Sequence, residues 1–200
     1  MGLGGTLKLS TPFDCPIEEQ FRPNPLIGIA VVLPKRGFDE LLRMSCEIGV
    51  DIIQPLSSER GVIRMNEKGK TFRRNGIIKE AVEQSERLWA PKLRRIIDFK
   101  DWVSERPSKA TFAFAVTRVP SANDLQFWMM GLTEEIDQLW VAIGPEGGWT
   151  QEEILFAKEA GCIEVQFGKS ILRTSTAAVA VTQSMVSWRQ NSFSVSSKNL

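Results

Sequence analysis

Residues 139–188, LWVAIGPEGGWTQEEILFAKEAGCIEVQFGKSILRTSTAAVAVTQSMVSW, read as strand, glycine loop, helix, strand, loop, helix. Residues 139 to 143 are an apolar run of strand length, closed by the turn cluster Gly144-Pro145-Glu146-Gly147-Gly148, through which no regular element continues. Thr150 and Glu153 have the spacing of a capping box, and Gly161 is the stop of that helix. A second short strand, Ile163 to Phe167, leads into Gly168-Lys169-Ser170. The last helix begins near Thr174, with Ala177, Ala178, Val181, Met185 and Trp188 on one stripe.

Two strands joined by one helix lie parallel, so the loops that follow them emerge at the same edge of the sheet. Ligands of open α/β sheets sit outside the carboxyl ends of the strands, where Gly144–Gly148 and Gly168–Arg173 are predicted to be. The fold class is therefore α/β, a parallel sheet flanked by helices.

The loop chemistry narrows the ligand. A P-loop needs Gly-x-x-x-x-Gly-Lys-[Ser/Thr] with free amides aimed at an anion, whereas Pro145 has no amide hydrogen and Glu146 repels phosphate. The dinucleotide fingerprint is not matched either. What remains is backbone that approaches a ligand closely, beside an acidic side chain suited to a neutral or cationic group. A tight turn between strand and helix is the alternative; a second glycine loop one βα unit later brings a shared ligand to equal standing with it.

IGPEGGWTQEEI followed at this distance by FGKSILRTSTA resembles the signature of the RsmE-type ribosomal RNA uridine N3-methyltransferases, members of the SPOUT superfamily. Upstream, VVLPKRGFDELLRMSCEIGV resembles that family's first strand and helix, and KEAVEQSER its Glu-Gln-Ser helix, so the likeness covers about residues 26 to 190. It implies a C-terminal trefoil knot, with the last helix threaded through the preceding loop. It also implies S-adenosylmethionine held in bent form by Ile143, Gly144, Glu146, Gly147, Gly148, Phe167, Gly168, Ile171, Leu172, Thr176 and Ala177. The substrate implied is small-subunit ribosomal RNA, and the assembly a two-fold homodimer with apolar contacts from Val181, Met185 and Trp188. Arg173 is the candidate catalytic residue, a cation for the uridine anion; capping a loop or pairing with Glu146 is its structural alternative. Glu146 is a possible base.

The chain departs from the family pattern at Ser170, where many relatives have Arg, at Ser175, where many have Glu, and at the N-terminus. Members usually carry a PUA-like barrel, and residues 1–25 are read as a lead-in or remnant of one, either a truncated form or a chain that recognises RNA without that module. Two other functions stay open: a SPOUT methyltransferase acting on transfer RNA or a ribose, and a catalytically weakened RNA-binding or assembly protein.

Composition suits one compact domain or one domain plus a fragment: 200 residues, 42% hydrophobic, net charge +1. The domain proper is expected over 26–190, with a polar tail at 191–200. Cys15, Cys46 and Cys162 form no CxxC pair, which suits free thiols in a reducing cytoplasm. With no His, zinc sites and histidine-based catalysis lose their usual player, and no metal is expected. No apolar run reaches membrane-spanning length, so no membrane partner is expected.

Leu26 to Leu33 is a continuous apolar run suited to a central parallel strand. A helix from Phe38 stops at Gly49, and a strand from Val50 to Gln54 ends before Pro55. Asn66 to Lys70 is an excursion, 72–89 a helix, Phe99 to Val103 a short helix, Thr111 to Val116 a third strand, and 121–132 a helix. Thr6 to Ser10 is a possible strand. From Arg60 to Lys100 there are 12 Lys or Arg against 5 Asp or Glu, whereas between Thr133 and Val165 eight acids face only Lys158. That basic middle, through Arg73, Arg74, Arg87, Arg94 and Arg95, is the candidate RNA-binding surface, with a solvated, ion-paired face as the alternative.

Overall fold

The computed structural model describes residues 23–62, 70–132 and 136–193. In chain order the elements are β1 (Leu26–Val32), α1 (Phe38–Ile48), β2 (Ile52–Ser57), α2 (Lys70–Gln84), β3 (Lys92–Leu93), β4 (Ile97–Asp98), α3 (Phe99–Ser104), β5 (Ala110–Ala115), β6 (Asn123–Asp124), α4 (Leu125–Met130), β7 (Gln138–Ile143), α5 (Gln151–Glu159), β8 (Ile163–Gln166) and α6 (Thr174–Phe193). The sheet order is β3-β2-β1-β7-β5-β8-β6, with β4 also on β2, and every pairing among the described residues is parallel.

The continuous apolar runs follow from this layering. Helices cover both faces, so every residue of β1 and β7 after the first is buried, and successive side chains alternate between two cores. Ile27, Ile29, Val31, Leu139 and Val141 point to the side covered by α1 and α6. Ala30, Val32, Trp140 and Ala142 point to the opposite side, an aromatic core where Phe112 stacks at 5.8 Å on Trp140 and Phe99 at 4.2 Å on Trp149.

Several boundaries differ from expectation for identifiable reasons. β2 runs through Pro55, because that residue faces the gap between β3, which pairs with Ile52–Ile53, and β4, which pairs with Leu56–Ser57. No ladder donor is needed there, and Gln54 Nε2 closes the gap by donating to Pro55 O at 2.8 Å and Arg95 O at 2.7 Å. The expected helix 121–132 is shorter: Asn123–Asp124 form an edge strand, and the Asp124 carboxylate caps α4 by accepting from Gln126 N and Phe127 N. α2 ends at Gln84, ahead of Glu86 at φ 55°, so Trp89 lies beyond it.

Val181, Met185 and Trp188 are 0, 0 and 9% exposed within one chain. They pack into the core under α6, which corrects their assignment as dimer contacts. α6 continues through Phe193, three residues into the stretch read as tail. Thr6–Ser10, the segment Asn66–Gly69 and residues 194–200 lie outside the described residues. Among those described, no helix is long and apolar enough to cross a membrane, and no cluster of side chains could hold a metal ion.

Candidate functional site

The turn after β7 is held from three sides. At its start, a Cβ on Gly144 would stand 2.9 Å from the Trp149 ring, so only glycine leaves space for that indole. Trp149 Nε1 in turn donates to Ala115 O at 2.9 Å, fixing the turn to the end of β5. Thr174 Oγ1 donates to Gly144 O at 3.1 Å and brings the first residue of α6 under the same turn. From the loop after β2, Arg60 Nη1 donates to Gly147 O at 3.1 Å and Trp149 O at 3.3 Å.

Glu153, 1% exposed, completes the arrangement. Its Oε2 accepts from Thr150 N at 2.8 Å, the reciprocal bond of a capping box, and its Oε1 accepts from Glu59 N at 3.0 Å. One buried carboxylate thus starts α5 and anchors the neighbouring loop.

These loops enclose a cavity of about 1040 Å³ at the carboxyl edge of the sheet, lined from the ends of β5, β7 and β8 and by Arg60, Asp124, Thr174 and Ala177. Ten expected cofactor contacts line it: Ile143, Gly144, Glu146, Gly147, Gly148, Phe167, Gly168, Ile171, Leu172 and Ala177. Thr176, on the exposed side of α6, does not. Arg173 is exposed just outside the lining, with its carbonyl accepting from Ala177 N at 2.8 Å. Among the described residues neither Arg173 nor Glu146 makes an ion pair, so the two are not partners.

β7 and β8 are not adjacent; β5 pairs with both. The loop Val116–Val119 therefore enters the site between the two glycine loops, a contribution missed in the sequence along with Arg60 and Trp149. The Thr111–Val116 strand signal predicted a loop at this edge, but its place between the other two depends on strand order. Within that loop Arg118 has φ 59°, in the left-handed region that side-chain-bearing residues rarely occupy.

The basic middle is largely consumed by the fold. Arg74 is buried, its guanidinium 4.4 Å from the Phe38 ring centre and 3.9 Å from Asp39 Oδ1. Arg87 donates to Cys46 O at 2.6 Å and Val50 O at 2.9 Å. Arg74 thus ties α2 to α1, and Arg87, just beyond α2, ties its end to α1 and Val50. Arg73 is exposed but lies 2.6 Å from Asp39 Oδ2, and Arg94 lies 5.3 Å from the centre of the Trp140 ring. Arg95 is exposed.

A family model described as an RNA methyltransferase domain matches residues 22–186. The chain is 37% identical over 173 residues to ribosomal RNA small subunit methyltransferase E of Synechocystis sp., covering 83% of this chain and 54% of that protein. The crystal structure of ribosomal RNA small subunit methyltransferase E from Neisseria gonorrhoeae bound to S-adenosyl methionine superposes with a TM-score of 0.71 at 30% identity, covering 84% of this chain and 68% of the other. A putative methyltransferase from Legionella pneumophila in complex with the same cofactor gives 0.70 at 26% identity, covering 84% and 66%. The chain spans a little over half the length of the Synechocystis relative.

Proposed function

The chain belongs to the RNA methyltransferase domain family, and from that premise we propose that it transfers a methyl group from S-adenosylmethionine to N3 of a uridine in small-subunit ribosomal RNA. One observation carries the reading: two glycine loops from different βα units, together with the β5 loop, wall a single cavity.

The residues present fit the cofactor. Gly148 and Gly168 line the cavity at φ 70° and 67°, and a Cβ on either would enter empty space, so bare backbone faces the ligand volume. Ile143, Phe167 and Leu172 supply apolar surface for a purine, and the exposed Glu146 carboxylate favours a cation. When bound, S-adenosylmethionine supplies an electrophilic methyl carbon on a sulfonium. The chain's own part is to orient: Arg60, Trp149 and Thr174 hold the first loop in place before any ligand arrives. Arg173, exposed and unpaired among the described residues, is positioned beside the second loop to stabilise negative charge on the base oxygens as N3 loses its proton.

The same reading places a trefoil knot in this segment, and the contact of Thr174 with Gly144 O supports it, because α6 begins beneath the loop through which it would thread. It places the reaction in the cytoplasm, with ribosomal RNA. For the homodimer, the exposed apolar pair Phe127 and Met130 on α4, 78 and 76% exposed, replaces the buried residues of α6 as the contact surface. Sedimentation should give a dimer that Phe127→Glu/Met130→Glu dissociates; a monomeric unmodified chain would remove the assignment.

Thermal melting with S-adenosylmethionine tests the function. Ligand at 100 times its dissociation constant adds about 2.7 kcal/mol, and no shift would exclude the cofactor and favour an RNA-binding protein without methyl transfer. Mass mapping of methylated nucleosides then tests uridine N3 against other positions.

A further inference from the structure

We propose that the RNA backbone docks on an arc of exposed cations along the carboxyl rim of the sheet, Lys35, Arg36, Arg118 and Lys169, rather than on the basic surface of α2 and the β3–β4 segment. The inference rests on the methyl-transfer reading and specifies how its RNA partner is held.

The rim assignment follows from strand direction. β1, β5 and β8 are parallel, so the loops carrying Lys35 and Arg36, Arg118, and Lys169 all emerge at one edge. From β1 to β8 is three strand spacings, on the order of 14 Å, and the loops of β7, β5 and β8 within that interval wall the cavity. The loop after β1 reaches the start of α6: a Cβ on Gly37 would lie 3.3 Å from Ser175 Oγ in its first turn, two residues beyond Arg173.

Availability separates this arc from much of the rest of the basic surface. All four side chains are exposed, and among the described residues none makes an ion pair or side-chain hydrogen bond. Elsewhere several cations are engaged: Arg73 with Asp39, Arg87 with backbone carbonyls, Lys100 with Glu59 and Glu152, Arg60 with the glycine turn; the exposed Lys92 and Arg95 lie at the β3–β4 edge of the sheet and do not line the cavity. The acids nearest the arc do not neutralise it. Asp39 faces Arg73 and Arg74, Asp124 caps α4, and the exposed Glu40 and Glu146 leave four cations against two.

Arg118 adds a second kind of observation. A residue with a side chain held at φ 59° on a cavity wall is strained backbone of the sort retained where a loop has a task. Phosphates bridging Lys35 and Arg36 on one side and Arg118 and Lys169 on the other would lay a single strand across the opening, where an unstacked base can enter the cavity.

The experiment is a salt titration of binding to a labelled single-stranded fragment of small-subunit ribosomal RNA, read by fluorescence anisotropy. Each phosphate contact contributes about 0.7 to the slope of log affinity against log salt. Lys35→Gln/Arg36→Gln/Arg118→Gln/Lys169→Gln should therefore flatten it by about 2.8, four contacts at 0.7 each. Arg73→Gln/Arg94→Gln/Arg95→Gln should leave it unchanged. The two double variants, Lys35→Gln/Arg36→Gln and Arg118→Gln/Lys169→Gln, should each remove half, which keeps the result readable if the quadruple variant folds poorly. An unaltered slope in the rim variants, or a loss confined to the Arg73, Arg94, Arg95 variant, overturns the arc. Absence of RNA binding by the unmodified chain also overturns it; a melting shift with S-adenosylmethionine in that same sample would leave the cofactor reading standing.

Discussion

Arg189 in α6 forms a buried ion pair with Asp51, the residue that precedes β2. The guanidinium also donates to Pro25 O at 3.0 Å and Gly49 O at 3.3 Å, while Asp51 Oδ2 accepts from Ile27 N at 2.8 Å. Arg87 stands 3.8 Å from the other carboxylate oxygen. The end of α6 thereby clamps the starts of β1 and β2 at the amino edge of the sheet, opposite the cavity.

Asp51→Asn should consequently cost stability without touching the site. It leaves Arg189 buried without its counter-charge, a loss on the order of 3–5 kcal/mol. Urea denaturation measures this, and calorimetric titration with S-adenosylmethionine under folding conditions should give unaltered affinity. A stability loss below about 1 kcal/mol would show that the pair is not buried as described.

Two glycines of the first loop separate packing from backbone strain. Alanine at 144 drives a methyl to 2.9 Å from the Trp149 ring, which is itself stacked on Phe99 and bonded to Ala115 O. Overpacking of this kind costs about 1–3 kcal/mol, and the indole shift should open the cavity wall. Gly148→Ala meets no atom within 4 Å but keeps φ 70°, so its cost is the left-handed penalty of about 1–2 kcal/mol. Near-ultraviolet circular dichroism should change for Gly144→Ala and not for Gly148→Ala.

Much of the architecture is legible in the chain because local signals and tertiary context agree. The Thr150–Glu153 capping box, the Gly49 and Gly161 stops, and the strands on either side of α5 are all fixed by chemistry within a few residues. What escapes is set by strand order. Nothing near Arg118 signals that β5 lies between β7 and β8, and nothing near Pro55 signals the β3–β4 gap that admits it. The basic middle misleads for a related reason: charge along the chain does not reveal that Asp39 and the carbonyls of Cys46 and Val50 lie within reach of its arginines.

The thiols predict an alkaline weakness. Burial pushes the Cys46 and Cys162 thiols above their ordinary range, against the opposing pull of Arg87 and Arg106. In the unfolded chain they return to about 8.5, so below that pH both states are protonated and stability is unaffected. Above it the unfolded state releases protons first, and stability falls until the folded-state values are reached. With no tyrosine to titrate in the same range, melting temperature should decline from about pH 8.5 upward, and less steeply in Cys46→Ala/Cys162→Ala. Parallel declines in the two proteins would refute the assignment.

Arg173 separates chemistry from cofactor binding. It follows the second glycine loop directly, lies outside the cavity lining, and has no ion-pair partner among the described residues. Arg173→Ala should therefore hold affinity for S-adenosylmethionine within about an order of magnitude while reducing single-turnover methyl transfer by roughly 100-fold or more, as expected when a charge directed at a developing anion is removed. Arg173→Lys keeps the charge on a shorter, non-planar group and should recover part of the rate. Parallel loss of affinity and rate in both variants would make Arg173 a support for the loop and return the role of uridine cation to another side chain of the rim.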